Sequence, residues 1–439
     1  MNKYFFDYTT LDNGINVLCY PRNDMHGAGI EVVIGVGSID ETKPINGVSH
    51  ALEHMIFRGT KDFHNRDDII NYENEFALDI HSAHTADTYT LFEGYGIFSD
   101  IERIIYILSQ LTCQPSLNPD DWTIEKKIIL DEIQRRMDRP WFQLFTVLNK
   151  DRFKDDYYYL GHEVAGSQEN VKSLDIDSIS NHHKEYYTPT NMRISVTGNI
   201  NIPQIHDLIK KYFPKNNLQS VHHPHRKIQN ISSVYSDLNL TTIKKEDSRV
   251  YLAFTFPGLS REESPKSRMT STLLKAIFSD RMDSILWKTL REERGLVYDV
   301  SSTNIIEKYY GLFSVQCDFH YEYIDKVIGE VIHAIESIKK GLFDDNMLTN
   351  EINIRNKRSL LTFDDIRSAI NWLSRELDED QIRLPEYYVN MRSSITKEDI
   401  IICANKIFDW SKVNIGILGP TEKPEIEAIL AKYIQNINF

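Results

Sequence analysis

Residues 192–213, MRISVTGNINIPQIHDLIKKYF, and residues 413–434, VNIGILGPTEKPEIEAILAKYI, run through the same signals in the same order. Each gives an apolar strand, a glycine and then a helix with its apolar residues on one side. Such a repeat constrains the fold strongly, because two copies of one pattern build two similar units. The openings of the two halves correspond as well. GIEVVIGVGSIDE (29–41) and RVYLAFTFPGLSRE (249–262) are apolar strands followed by a polar turn and a helical segment. DIERIIYILSQL (100–111) and YIDKVIGEVIHAIESIKK (323–340) both carry helical apolar spacing. At 439 residues the chain exceeds one ordinary core, which agrees with a division in two. The fold expected is α+β: two similar halves, each a mainly antiparallel sheet packed with helices. The halves are drawn at 1–215 and 231–439. The segment PKNNLQSVHHPHRKIQN (214–230) is polar and aperiodic, and 216–230 reads as a linker, its His222, His223 and His225 solvent-exposed.

Composition excludes some classes. A net charge of −14 argues against non-specific nucleic-acid binding. No run approaches the roughly 18 apolar residues a membrane span needs. The opening MNKYFFDYTTLDNGINVL has no apolar signal core; it reads as strand, turn at DNG, strand, and so as part of the fold. Cys19, Cys113, Cys317 and Cys403 are scattered without a CxxC pair, the usage of reduced cysteines in a cytoplasmic protein.

The chemistry concentrates in VSHALEHMIFRGT (48–60). His50 and His54 are spaced i, i+4 and project from one side of a helix, with Glu53 beside the second. A catalytic zinc needs three protein ligands from His, Glu, Asp or Cys, and this helix supplies two. Read alone, the pair leaves open a second, lesser reading as two histidines on a helix surface. A source for the third ligand is WTIEKKIILDEIQRRM (122–137), a helical segment in which Glu125 and Glu132 lie two turns apart on one face. Asp131 competes with Glu132 but points about 100° away from the Glu125 face.

His50-Ala51-Leu52-Glu53-His54 is the inverted zinc motif H-x-x-E-H. On it, and on LGHEVAGSQENVKSL (160–174), HHKEYYTPTNMRISVTGNI (182–200) and LREERGLVYDVSS (290–302), the chain resembles the pitrilysin family of zinc peptidases. That family includes insulin-degrading enzyme and the mitochondrial processing peptidase. The resemblance implies that His50, His54 and Glu132 hold one Zn2+ and that Glu53 is the general base. It makes Glu125 a carboxylate that orients the ligands, and Arg291 and Tyr298 contacts to substrate near the scissile bond. In LDIHSAHTADTYTLF (78–92) it aligns Ser82, Ala83, His84 and Thr85 with the edge strand that pairs with substrate. Here the sequence departs from the family: Ser82 stands where Asn is usual and the preceding glycine pair is missing. A one-residue shift would put His81 in the Asn position instead.

The resemblance is to the short, two-domain branch. Four-domain members enclose a clam-like chamber, which a two-domain chain must complete with a second subunit, as a homodimer or with a homologue. The activity implied is endopeptidase cleavage of short or unfolded peptides or precursor leader segments. The alternative, from the family's degenerate members, is a non-catalytic peptide-binding or scaffolding subunit.

Overall fold

Alternating apolar residues in the first half produce six strands that join in one sheet: β1 (Asp7–Thr10), β2 (Asn16–Pro21), β3 (Gly27–Ile34), β4 (Asp79–Thr85), β5 (Thr90–Ile97) and β6 (Met192–Gly198). Their order is β1-β2-β6-β3-β5-β4. Every neighbouring pair is antiparallel except β2 and β6. The second half builds β7 (Asn239–Lys244), β8 (Arg249–Pro257), β9 (Asp299–Ile306), β10 (Gly311–His320) and β11 (Asn414–Gly419), in the order β7-β11-β8-β10-β9. Again a single pair, β7 with β11, is parallel. The two sheets therefore share one topology, with β2, β6, β3, β5 and β4 answered by β7, β11, β8, β10 and β9. The repeated strand–glycine–helix pattern is β6 with the helix Ile202–Tyr212, and β11 with the helix Lys423–Tyr433. This computed structural model describes residues 5–153, 161–213, 238–378 and 382–434, so the linker drawn at 216–230, with its three histidines, lies outside the described residues.

The chain divides into two compact units, one of Met1–Arg135, His162–Arg226 and Leu360–Leu384, the other of Arg136–Gly161, Lys227–Ser359 and Pro385–Phe439. The contiguous halves of the sequence reading thus exchange one helical segment each. In the first unit the helix Ile366–Asp378 covers β3 and β6. Gly27 and Gly29 make that approach possible: a Cβ on either would stand 2.5 and 2.7 Å from Ile366. In the second unit the helix Pro140–Arg152 covers β11, and Leu144 and Leu148 pack there. Amphipathic spacing shows which side of a helix is apolar but not which sheet receives it, so both segments read as ordinary parts of their own halves.

The first core centres on Ile30, Val32, Phe92, Ile104, Leu108 and Ile194, all essentially without exposure. In the second, Phe408 meets Phe256 and Phe313 edge-on, at ring distances of 5.2 and 5.3 Å. All four cysteines are free thiols, three of them buried. Among the described residues no helix is long and apolar enough to cross a membrane.

Candidate metal centre

The helix Val48–Ile56 is held by its apolar residues. Val48, Ala51, Leu52, Met55 and Ile56 are buried, and this leaves the motif side to His50, Glu53 and His54. Its start is unusual. Gly47 precedes it at φ 98°, and a Cβ there would stand 2.7 Å from the Ala165 carbonyl oxygen. The buried Glu41 carboxylate caps the helix, accepting from the backbone N–H of Gly47 at 2.7 Å and of Ser49 at 2.8 Å, and from Asn46 at 2.9 Å. Burial pushes the Glu41 carboxyl up to about 7, against the opposing pull of those hydrogen bonds. Ser49 Oγ also meets the buried His182 Nε2 at 3.0 Å. Burial pulls that imidazole down to about 4, so it is neutral.

The helix Pro119–Met137 buries Trp122, Glu125, Ile129 and Ile133, a helical stripe with one carboxylate in it. Glu125 Oε2 takes a hydrogen bond at 2.9 Å from His54 Nδ1, and Arg58 Nε and Nη2 both reach Glu125 Oε1 at 2.5 Å. Those two cations hold the buried Glu125 carboxyl below its ordinary value although burial alone would raise it. With Nδ1 engaged, His54 turns Nε2 towards Glu132.

His50 Nε2 lies 3.8 Å and His54 Nε2 3.6 Å from Glu132 Oε2, and the three ligand atoms all fall within 4.8 Å of one another. Ligand atoms around a tetrahedral zinc stand about 3.3 Å apart. Both imidazole–carboxylate separations are close to that, the third is within 4.8 Å, and one imidazole is backed by a second carboxylate, a donor set that suits the ion. Burial lowers the His54 pKa, but the hydrogen bonds to Glu125 and Glu132 outweigh it and lift the imidazole to about 9. A metal ion entering the group therefore displaces a proton at neutral pH. Among the described residues no other cluster offers a comparable set of ligands. Asp131, next in sequence to Glu132, is exposed.

Glu53 is outside that trio. Its Oε2 accepts from Thr85 Oγ1 at 2.5 Å, and burial raises its carboxyl above the ordinary value. Thr85 ends β4, the edge strand, which among the described strands pairs with β5 alone and breaks register between Asp79 and Ser82. Ser82 faces Glu93 across the pair and donates to its Oε2 at 2.6 Å; Tyr95 Oη donates to Oε1 of the same carboxylate at 3.0 Å. Ala83 pairs with Phe92, and His84 is exposed. His81, the other residue considered for the Asn position, pairs with Glu73 at 2.5 Å and stacks on Phe57.

Arg291 and Tyr298 belong to the second unit. Arg291 lies in a π-helical turn, Trp287–Glu293, with its guanidinium 4.3 Å from the Trp287 ring centroid and 5.9 Å from that of Tyr298. The Arg249 guanidinium also lies 5.2 Å from the Tyr298 ring centroid. Tyr298 is 68% exposed, a high value for so large an aromatic ring.

Sequence reasoning missed Glu41, Arg58 and His182. Arg58 lies just past the end of the site helix, in the turn after Phe57, and reaches back to Glu125 from there. Glu41 caps from outside the helix, across a turn, and His182 comes from the distant helix Ile176–Tyr186; neither position follows from local spacing.

A family model for insulinase (peptidase family M16) matches residues 18–160, and one for the peptidase M16 inactive domain matches residues 173–354. An uncharacterized zinc protease of Mycobacterium leprae is 26% identical over 94% of this chain and 91% of its own length. One from Bacillus subtilis is 27% identical over 67% of this chain and 68% of its own. Among solved structures, a protease from Helicobacter pylori superposes with a TM-score of 0.86 at 18% identity, covering 95% of this chain and all of that one. A peptidase M16 inactive domain from Pseudomonas fluorescens gives 0.83 at 15% identity, over 95% and 98%. At these identities the structural likeness speaks for the fold.

Proposed function

This chain belongs to peptidase family M16, in its short two-domain branch, and from that premise we propose that it is a zinc-dependent endopeptidase. The observation that carries the reading is the convergence of His50, His54 and Glu132, with Glu125 fixing the ring of His54. These three side chains would hold the ion. Zinc there supplies Lewis acidity, polarising a peptide carbonyl and acidifying water. Glu53 takes a proton from the attacking water at its carboxylate and passes it to the leaving nitrogen. The free edge of β4, over Ser82, Ala83, His84 and Thr85, offers backbone groups to an extended peptide. Tyr298 donates to the developing oxyanion and Arg291 grips a substrate carbonyl.

The substrates proposed are short or unfolded peptides, leader segments among them, taken into a chamber that two chains close. Four free cysteines suit the reducing cytoplasm. The test is mass spectrometry of a peptide library incubated with purified protein, with and without chelator. Cleavage that stops with the chelator and returns with zinc is the expected result. Peptide binding without cleavage, in protein carrying one zinc per chain, would favour the non-catalytic subunit instead.

Assembly has its own test. In a homodimer each site would take His50, Glu53, His54 and Glu132 from one chain and Arg291 and Tyr298 from the other. Two inactive variants, Glu53→Gln and Arg291→Ala, are then expected to regain activity when mixed with subunit exchange. One site of the mixed dimer collects both lesions and the other collects neither, so about half of its sites work. Exchange without recovery would show that the pair acts within one chain or that the partner is a homologue.

A further inference from the structure

We infer that the Thr85 side chain positions the base Glu53 and makes no contact to substrate, whatever the backbone of the edge strand does. The inference rests on the endopeptidase reading and adds a residue role to it. A substrate-contacting side chain at a sheet edge points outwards, as the exposed His84 does. Thr85 is 5% exposed, and its hydroxyl donates to Glu53 Oε2 at 2.5 Å. Across the strand pair it faces Thr90, whose own hydroxyl is tied to the Val36 carbonyl oxygen at 3.0 Å, so both threonines are anchored inwards.

Two physical features suit Thr85 to the task. A β-branched side chain on a paired strand is held close to one χ1 rotamer, so its hydroxyl cannot swing freely away from the carboxylate. A donor on one carboxylate oxygen also fixes the plane of the group and leaves the other oxygen, Oε1, to exchange the proton with water and then with the leaving nitrogen. Position matters here because the base sits one residue before a metal ligand, and a rotation of its χ angles would carry it out of reach of the reacting atoms. Ser82 does the corresponding work for the strand itself. Its hydroxyl is bound to Glu93, inside the sheet, and its neighbour Ala83 has no polar side chain, so along β4 the backbone and the exposed His84 are left to meet a peptide.

The test uses the full chain loaded with zinc. Thr85→Val keeps the shape and removes the donor; Thr85→Ser keeps the donor. The Val variant is expected to lose about 10–100-fold in kcat, as orienting partners of a reacting group do, with KM within about twofold of wild type and zinc content unchanged. The Ser variant is expected to stay within about threefold of wild type, which also excludes a general folding defect. A second readout needs no turnover. In a Glu53→Gln background, adding Thr85→Val is expected to leave the Kd for an uncleaved substrate peptide within about twofold. A tenfold weakening there, a rise in KM at constant kcat, or an unaltered Val variant would each overturn the inference. Absence of hydrolysis by the wild-type protein with zinc bound would instead remove the endopeptidase reading, and this role with it.

Discussion

Glu53→Gln is expected to leave one zinc per chain in place and to cut peptide hydrolysis by about 10²–10⁴-fold, the usual contribution of a positioned base. Zinc should stay because Glu53 is not among the three side chains that converge, and the amide still accepts from Thr85 through its carbonyl oxygen. Hydrolysis should fall because an amide cannot take the proton. The same variant has a signature in stability. Burial raises the Glu53 carboxyl above its unfolded value, so the folded protein binds this proton more tightly than the unfolded chain does. Stability attached to Glu53 is therefore present below the unfolded pKa and is lost as pH rises through the folded one. Without zinc, the Gln variant should melt at the wild-type temperature near pH 4 and above it near pH 8. A variant that retains more than about a tenth of wild-type turnover would show that Glu53 is not the base. Calorimetry at the two pH values checks the second half independently of activity.

The other large effect falls on the metal itself. Glu132→Gln is expected to reduce zinc from about one per chain to under about a tenth after dialysis, because two histidines alone hold the ion poorly. Asp131→Asn, one residue away, should change nothing. Glu132 Oε2 stands within 3.8 Å of both motif imidazoles, whereas Asp131 is exposed on another side of the helix. The comparison is sharp because the two substitutions alter helix propensity and net charge alike. Elemental analysis of the dialysed proteins reads the result directly. Zinc retained by the Glu132 variant and lost from the Asp131 variant would reverse the assignment.

What could be read from the sequence was what local geometry encodes. Helix spacing of i, i+4 brings His50 and His54 together whatever surrounds them, and two turns bring Glu125 and Glu132 onto one face. Strand alternation and glycine turns likewise mark the matching segments and repeat them in the second half, which is why two similar α+β halves were legible in the sequence, though not the order of strands in either sheet. The pairing of the two helices at the site was carried by family resemblance, since no spacing of nearly eighty residues implies contact. Tertiary structure alone decided the rest. It sends Ile366–Asp378 onto Gly27 and Gly29 of the first sheet and Pro140–Arg152 onto the second. It brings Glu41 to the start of the site helix and turns Thr85 inwards to Glu53. Apolar periodicity specifies which side of an element seeks burial but leaves its partner open. A hydrogen bond between residues far apart in the chain depends on how several such elements pack at once.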